Sequence, residues 1–422
     1  MTSNALTTVI LAAGKGTRMK SRLPKVLHPI AGRPMLGHVL AAATGLDSAK
    51  TVLVSGPGMD EVSGYAKSVA ANVSIAIQEN QLGTGDAARA AAPQISDKDG
   101  VVLFVFGDTP LVRRETLADM VERCRKESDI VILGFEAADP TGYGRVVRDG
   151  NEVRRIVEHK DASEEVRAIR LCFGGPMAVR AEHLPKLLGS LTNDNAQGEY
   201  YLTDFVAHGR EAGLSCSAVV CPESDIQGVN SRADLASAEA VMQKRLRAAA
   251  MAGGVTLLDP ETVYLSHDTV FGEDVTVGQN VVFAPGCRIA AGATIKAFSH
   301  LEGADIGEGA EIVWIIVQEQ AETATHLGQF NATLGKDAKL TLFIMNAGGK
   351  LVRQEVRVDA AGEGADFQLR GVNLLGGETH CDVTMVLDHS APHTTSTEIV
   401  RNVVTDRAHG LFQGQIRVAR IA

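Results

Sequence analysis

The chain has 422 residues, 45% of them hydrophobic, which is enough for two or more domains with sizeable cores. A formal net charge of −10 argues against broad binding to a nucleic-acid backbone, and 4% aromatic content gives little surface for stacking single-stranded bases. No apolar run is long enough to span a bilayer, the N-terminus lacks the basic start of a signal peptide, and six cysteines without CxxC spacing read as reduced core residues of a cytoplasmic protein.

The first element is a short apolar strand, Thr7-Thr8-Val9-Ile10, running into Leu11-Ala12-Ala13-Gly14-Lys15-Gly16-Thr17-Arg18-Met19 and then Leu23-Pro24-Lys25. Glycines let backbone N–H groups approach a phosphate, and Arg18 and Lys25 add positive charge. The spacing is neither GxxxxGK[ST] nor GxGxxG, so the common ATPase and dinucleotide loops are excluded. Further strands are expected at TVLVSG, VSIAIQ, VVLFVFGD and IVILGFE, with helices over residues 34–43 and 115–126. This alternation predicts an α/β fold with a mostly parallel sheet, and both the glycine loop and Gly107-Asp108 fall at the carboxyl ends of strands, where such sheets bind ligands. Asp108 taken alone reads equally well as a turn-initiating residue.

Residues 232–252 (RADLASAEAVMQKRLRAAAMA) predict one long helix, stopped by Gly253-Gly254, as a link between domains. Apolar residues then recur every six positions at Leu265, Phe271, Val277, Phe283, Ile289, Ile295 and Leu301, with Gly or Ala next at most of them. That is the hexapeptide repeat of a parallel β-helix. The register slips at Ile306-Gly307 and the repeat stops after Ile312. From Val313 onward the text is β-rich, with LTLFIM, EVRVDA, VTMVLDH and GQIRVARIA as alternating runs. His380, His389, His393 and His409 read as isolated strand-end histidines rather than a metal site. The expected organisation is therefore 1–231, a helix over 232–254, a short hexapeptide solenoid over 255–312, and a second β-helical segment over 313–422.

The glycine loop with its Pro-Lys pair resembles the signature of the sugar-phosphate nucleotidyltransferases. QENQLGTGDA (78–87), FVFGDTPL (104–111), PTGYGR (140–145), IVEHKDA (156–162), NDNAQGEYYLTD (193–204) and GVN (228–230) follow in family order. Together they resemble the uridylyltransferase half of the bacterial bifunctional enzyme that makes UDP-N-acetylglucosamine. The fold this implies is a Rossmann-like nucleotidyltransferase sheet followed by the start of a left-handed parallel β-helix. LDH (387–389), PHTTS (392–396) and GLFQGQI (410–416) resemble the core of SUF-type iron–sulfur assembly scaffolds, in which the position of His389 is functionally important. The chain thus reads as a chimera of two solenoid types behind a nucleotidyltransferase domain.

The resemblance implies a cytoplasmic Mg²⁺-dependent transfer from UTP to N-acetylglucosamine 1-phosphate, feeding peptidoglycan and lipopolysaccharide precursors. It implies that Asp108 and Asn230 hold Mg²⁺, and that Arg18 and Lys25 grip the phosphates. Leu11, Ala12, Ala13, Gly14, Gln78, Gly83 and Thr84 fall to the nucleotide, with the Gln78 amide reading the base as donor and acceptor. Gly144, Glu158 and Asn230 fall to the sugar phosphate. The family has an Asn where Phe173 stands by register from Glu158, and Pro176 sits where a strand should run. That departure leaves a second reading open: a chain that binds UTP without turnover, or a scaffold fragment. The residues for acetyl transfer lie in the family beyond the point where the repeat stops here. The family's homo-oligomer is a trimer; neither nucleic acid nor membrane is expected as a partner.

Overall fold

A computed structural model describes residues 5–46, 48–96, 99–306 and 311–420. The extreme N-terminus, on which the signal-peptide expectation rests, and Gly307 of the slipped repeat lie outside them. The chain divides into two compact units. The first comprises residues up to Ala250 with Pro260–His267 and Phe283–Pro285; the second comprises Met251–Asp259, Asp268–Val282 and the chain from Gly286.

The first unit is built on a nine-stranded sheet. Its strands are β1 (Leu6–Leu11), β2 (Lys50–Ser55), β3 (Val73–Ile77), β4 (Val101–Phe106), β5 (Ile130–Glu136), β6 (Arg145–Asp149), β7 (Glu152–Val157), β8 (Leu171–Arg180) and β9 (Cys216–Val220). The order is β9-β5-β8-β4-β1-β2-β3, with the β6–β7 hairpin attached through β8. β1 pairs in parallel with β2 and β4, and β9 in parallel with β5. β8 runs antiparallel between β4 and β5. β1 and β4 are buried on both faces, as continuous apolar runs in a covered parallel sheet must be. One face packs Leu36, Leu40, Leu117 and Met120 from helices Met35–Thr44 and Arg114–Lys126; the other packs Ala88, Leu187 and Phe205. All five strands expected from apolar runs are present. The β6–β7 hairpin and β8 carry polar or glycine-broken text, and no apolar run announced them.

β8 does run through Pro176. Phe173 pairs with Gly134 and Met177 with Ile132, so β8 holds two extra residues in a bulge between these pairs. The bulge takes Pro176, which has no N–H to give, out of the ladder. The helix Arg232–Ala252 forms as expected. Through Ala250 it belongs to the first unit: Ala238 is buried there, and Arg245 joins Arg113 on the buried Asp225 carboxylate at 2.7 and 2.6 Å.

In the second unit Thr276–Val277 pairs in parallel with Thr294–Ile295, and Val270–Phe271 with Arg288–Ile289. Partners are eighteen residues apart, three hexapeptides to a coil. The next pair, Arg288 with Asp305, is one residue shorter and accounts for the slip. A Cβ on Gly272 or Gly278 would lie 2.4 or 2.5 Å from the backbone N of Ala291 or Ala297, which is why glycine follows the apolar residue at these corners. From Glu311 the strands lengthen to ten residues and alternate between two four-stranded parallel sheets. Leu340, Leu342, Phe367 and Leu369 of one meet Val356, Val358, Met385 and Leu387 of the other in a single apolar core. Buried Asn346 donates to Asn373 at 2.7 Å, and Asn373 to Asn402 at 2.6 Å, along successive coils of one sheet.

Candidate active site

The carboxyl ends of β1 and β4 open onto a cleft of about 440 Å³. Leu11, Ala12, Ala13 and Gly14 form one wall and Gln78, Gly83, Thr84 and Ala87 another, with Phe106 and Asp108 at the base. Backbone hydrogen bonds fix these walls: Ala12 N–H donates to Val54 O at 2.8 Å and Gly107 N–H to Leu11 O at 2.9 Å. A Cβ on Gly107 would meet the Ala12 Cβ at 3.0 Å, so the two loops approach closely at this glycine.

Gly16 has φ +59°, and a Cβ there would lie 2.5 Å from the Lys25 Cβ. The glycine therefore lets the loop turn back over the root of Lys25, itself held in the turn Lys25–Leu27 behind Pro24. The Lys25 ammonium then reaches Asp108 Oδ2 at 2.5 Å and Asn230 Oδ1 at 3.1 Å. Asn230 is placed by the helix that follows it. Ser231 and Asp234 form a reciprocal cap, Asp234 N–H to Ser231 Oγ at 3.2 Å and Ser231 N–H to Asp234 Oδ2 at 2.8 Å; Asn230 N–H donates to the same carboxylate at 3.0 Å. Val229 N–H donates to Asp108 O at 2.9 Å, tying the two segments together.

The Gln78 amide N–H groups are both used within the loop, on Gly83 O at 2.8 Å and Asp86 Oδ2 at 2.9 Å. It therefore offers its carbonyl oxygen, rather than the donor and acceptor expected from sequence. The Thr84 hydroxyl accepts from Leu202 N–H at 3.0 Å. Gly83 has φ +101°, and a Cβ there would lie 2.6 Å from Tyr200 O. Gln81, Lys15 and Glu199 also line the cleft, three residues to which the sequence alone gives no separate role. Gln81 donates to Ala13 O at 2.6 Å. Lys15 and Glu199 each lay inside a recognised motif, so position within the motif was the available signal.

Several expected residues do not line this cleft. Arg18 is exposed on the turn Thr17–Met19. Gly144, Glu158 and Phe173 form a second cluster along the β6–β7 hairpin and β8. Phe173 N–H donates to Gly144 O at 2.8 Å, and a Cβ on Gly144 would meet Glu158 Oε1 at 3.5 Å. Burial pushes the Glu158 carboxyl above its ordinary range, partly opposed by the Thr203 hydroxyl donating to it at 3.1 Å. Phe173, like Phe106 and Tyr200, packs against the apolar cluster that includes Leu11 and Ala87. Arg145, 1% exposed, holds this region together: it donates to Tyr143 O, to Arg167 O at 3.3 Å and contacts His159 Nδ1 at 3.3 Å.

Among the described residues, no group of three or more His, Cys, Asp or Glu is placed to hold a metal. His389 is buried, with Nδ1 2.7 Å from the Thr394 hydroxyl and Nε2 3.3 Å from that of Ser396. All six cysteines are free and buried. Among the described residues no helix is long and apolar enough to cross a membrane.

Residues 8–226 match the MobA-like NTP transferase domain family, and residues 283–422 match the SufBD core domain of SUF system FeS cluster assembly. The bifunctional protein GlmU of Parvibaculum lavamentivorans is 75% identical over 277 residues, covering 66% of this chain and 61% of that protein. GlmU of Sphingopyxis alaskensis is 50% identical over 312 residues, covering 74% of this chain and 68% of that protein. The chain thus spans 61% of the length of the first of these relatives. A crystal structure of UDP-glucose pyrophosphorylase complexed with UDP-glucose aligns with a TM-score of 0.47 at 16% identity, over 57% of this chain and 99% of that one.

Proposed function

The chain belongs to the MobA-like NTP transferase domain family and, within it, to the GlmU group, and from that premise we propose that it is a uridylyltransferase acting on UTP and N-acetylglucosamine 1-phosphate. The observation that carries the reading is the meeting of Asp108, Asn230 and Lys25 at the edge of a cleft walled by the glycine loop. A phosphate oxygen of the sugar phosphate forms a bond to the α-phosphorus of UTP, the bond from that phosphorus to the bridging β-oxygen breaks, and pyrophosphate leaves. Such a transfer asks the protein for positioning and charge neutralisation rather than covalent work.

Leu11 to Gly14 present main chain to the nucleotide, and the open space beside Gly14 admits it: a Cβ there would meet nothing within 4 Å. Gln78, Gly83 and Thr84 shape the base end. Lys15, Lys25 and Arg18 supply positive charge to the phosphates, with Arg18 reaching in from its exposed turn. Gly144 and Glu158 hold the sugar. Asp108 and Asn230 fit Mg²⁺, since their two hard oxygens already converge on one cation, the Lys25 ammonium. Bound there, the ion would neutralise charge on the phosphate oxygens. The product would be UDP-N-acetylglucosamine for peptidoglycan and lipopolysaccharide precursors, made in the cytoplasm; the free thiols fit a reducing compartment. Acetyl transfer is not part of this reading, because ten-residue strands replace the hexapeptide pattern from Glu311. The family's trimer rests on a longer solenoid than the hexapeptide stretch here.

A second reading, nucleotide binding without turnover, is favoured by one observation: position 173, whose N–H donates to Gly144 O, carries an apolar ring packed on the cluster behind the cleft where the family has an amide. Asp108→Ala separates a working metal site from an idle one. It should abolish UTP-dependent pyrophosphate release, and release at the parental rate would remove Asp108 from the site.

A further inference from the structure

Lys25 occupies the position that the two oxygens of Asp108 and Asn230 define for a cation. Its Nζ lies 2.5 Å from Asp108 Oδ2 and 3.1 Å from Asn230 Oδ1, and its side chain is only 10% exposed. We propose that Lys25 is the resident counter-cation of this pair, exchanged for the divalent cation when nucleotide phosphate draws its ammonium away. Metal and nucleotide binding are then coupled through one side chain. The inference rests on the nucleotidyl-transfer reading above and concerns how the free site is kept.

The geometry allows one cation at a time. A divalent ion within ~2.1 Å of both oxygens would lie inside the contact distance of an ammonium bonded to the same atoms. The Asp108–Asn230 pair carries one negative charge, which Lys25 already balances, so a second cation at the same two oxygens meets the repulsion of the ammonium. No other carboxylate is ion-paired to Lys25 among the described residues. The root of Lys25 is set in the turn Lys25–Leu27, with Gly16 so close to its Cβ that no side chain fits at position 16. The tip can move. Lys25 lines the same cleft as Gly14 and Lys15, so swinging its ammonium toward the glycine loop places it where phosphates would lie. Linkage then requires that each ligand favour the other by the same factor.

The test is Mn²⁺ binding to the full chain without nucleotide, read as free Mn²⁺ by electron paramagnetic resonance. Lys25→Met and Lys25→Ala should each bind one Mn²⁺ at least tenfold more tightly than the parent, and adding Asp108→Asn should remove that site. The reciprocal arm is UTP binding in EDTA by calorimetry. Lys25→Met should weaken it and Asp108→Asn should strengthen it several-fold by releasing Lys25; that gain should vanish in the double variant. A gain that persists in the double variant would show simple charge repulsion by Asp108 and overturn the exchange. So would unchanged or weaker Mn²⁺ binding in both Lys25 variants while Asp108→Asn still abolishes the site, which leaves the metal reading standing. Absence of any Asp108-dependent Mn²⁺ site in the parent and both Lys25 variants would sink the metal reading and the exchange together. Thermal melts identify any variant that fails to fold, and the two Lys25 substitutions check each other.

Discussion

Phe173 is the main departure from the family pattern in the segment proposed to hold the sugar. Its N–H supports Gly144 from β8, while its ring joins the apolar cluster behind the cleft. A phenyl ring cannot hydrogen-bond a sugar hydroxyl, and a polar partner left unpaired costs roughly 1–3 kcal/mol. Phe173→Asn should therefore raise kcat/KM for the sugar phosphate about 5- to 150-fold and leave nucleotide affinity nearly unchanged. It should also lower the melting temperature, because the ring's apolar burial is lost. Titrating sugar phosphate at saturating UTP decides the point: unchanged kcat/KM would mean that position 173 does not face the sugar. Single residues were unevenly legible. Asp108 follows an apolar strand, and its place at the base of the cleft is the one that position suggests. The Gln78 amide could not be read, because its partners Gly83 O and Asp86 are set by the turn of the loop. Nor could the burial of Arg145, two of whose partners are backbone carbonyls that leave no mark in the sequence.

The glycine loop shows how an element fixes a site. Gly14 and Gly16 are two residues apart and do different work: one faces open space, the other adopts φ +59° against Lys25. Gly16→Ala should destabilise the fold by ~1 kcal/mol or more and lower kcat/KM at least tenfold, because the new methyl displaces Lys25. Gly14→Ala should leave the melting temperature almost unchanged and raise the KM for UTP. Equal melting temperatures for both variants would contradict this division of roles. Strands buried on both faces were readable from apolar runs alone. β8 was not, since Gly174, Gly175 and Pro176 break its pattern; the bulge that absorbs them also gives Gly175 φ +107° against the Phe106 ring. The hexapeptide period was legible because the coil repeats it, down to the shortened pair at Asp305.

At the scale of the whole molecule, two kinds of β-coil follow one α/β unit. In the hexapeptide stretch each strand is two residues long, so each coil is held by few ladder hydrogen bonds; from Glu311 each strand is ten residues long. Local opening should therefore start in the short-stranded stretch. Limited proteolysis should release an N-terminal fragment ending between about residues 251 and 314, and uniform resistance along the chain would contradict that. The later solenoid was readable as β-rich from its alternation, whereas its division into two sheets depends on coil length, which no local pattern states. The α/β unit is proposed to perform nucleotidyl transfer. Its most direct measurement is pyrophosphate release by the full chain with UTP, N-acetylglucosamine 1-phosphate and Mg²⁺, each omitted in turn. Release should require all three and yield UDP-N-acetylglucosamine in equal amount; absence of release from a folded chain that binds UTP would rule the proposed transfer out.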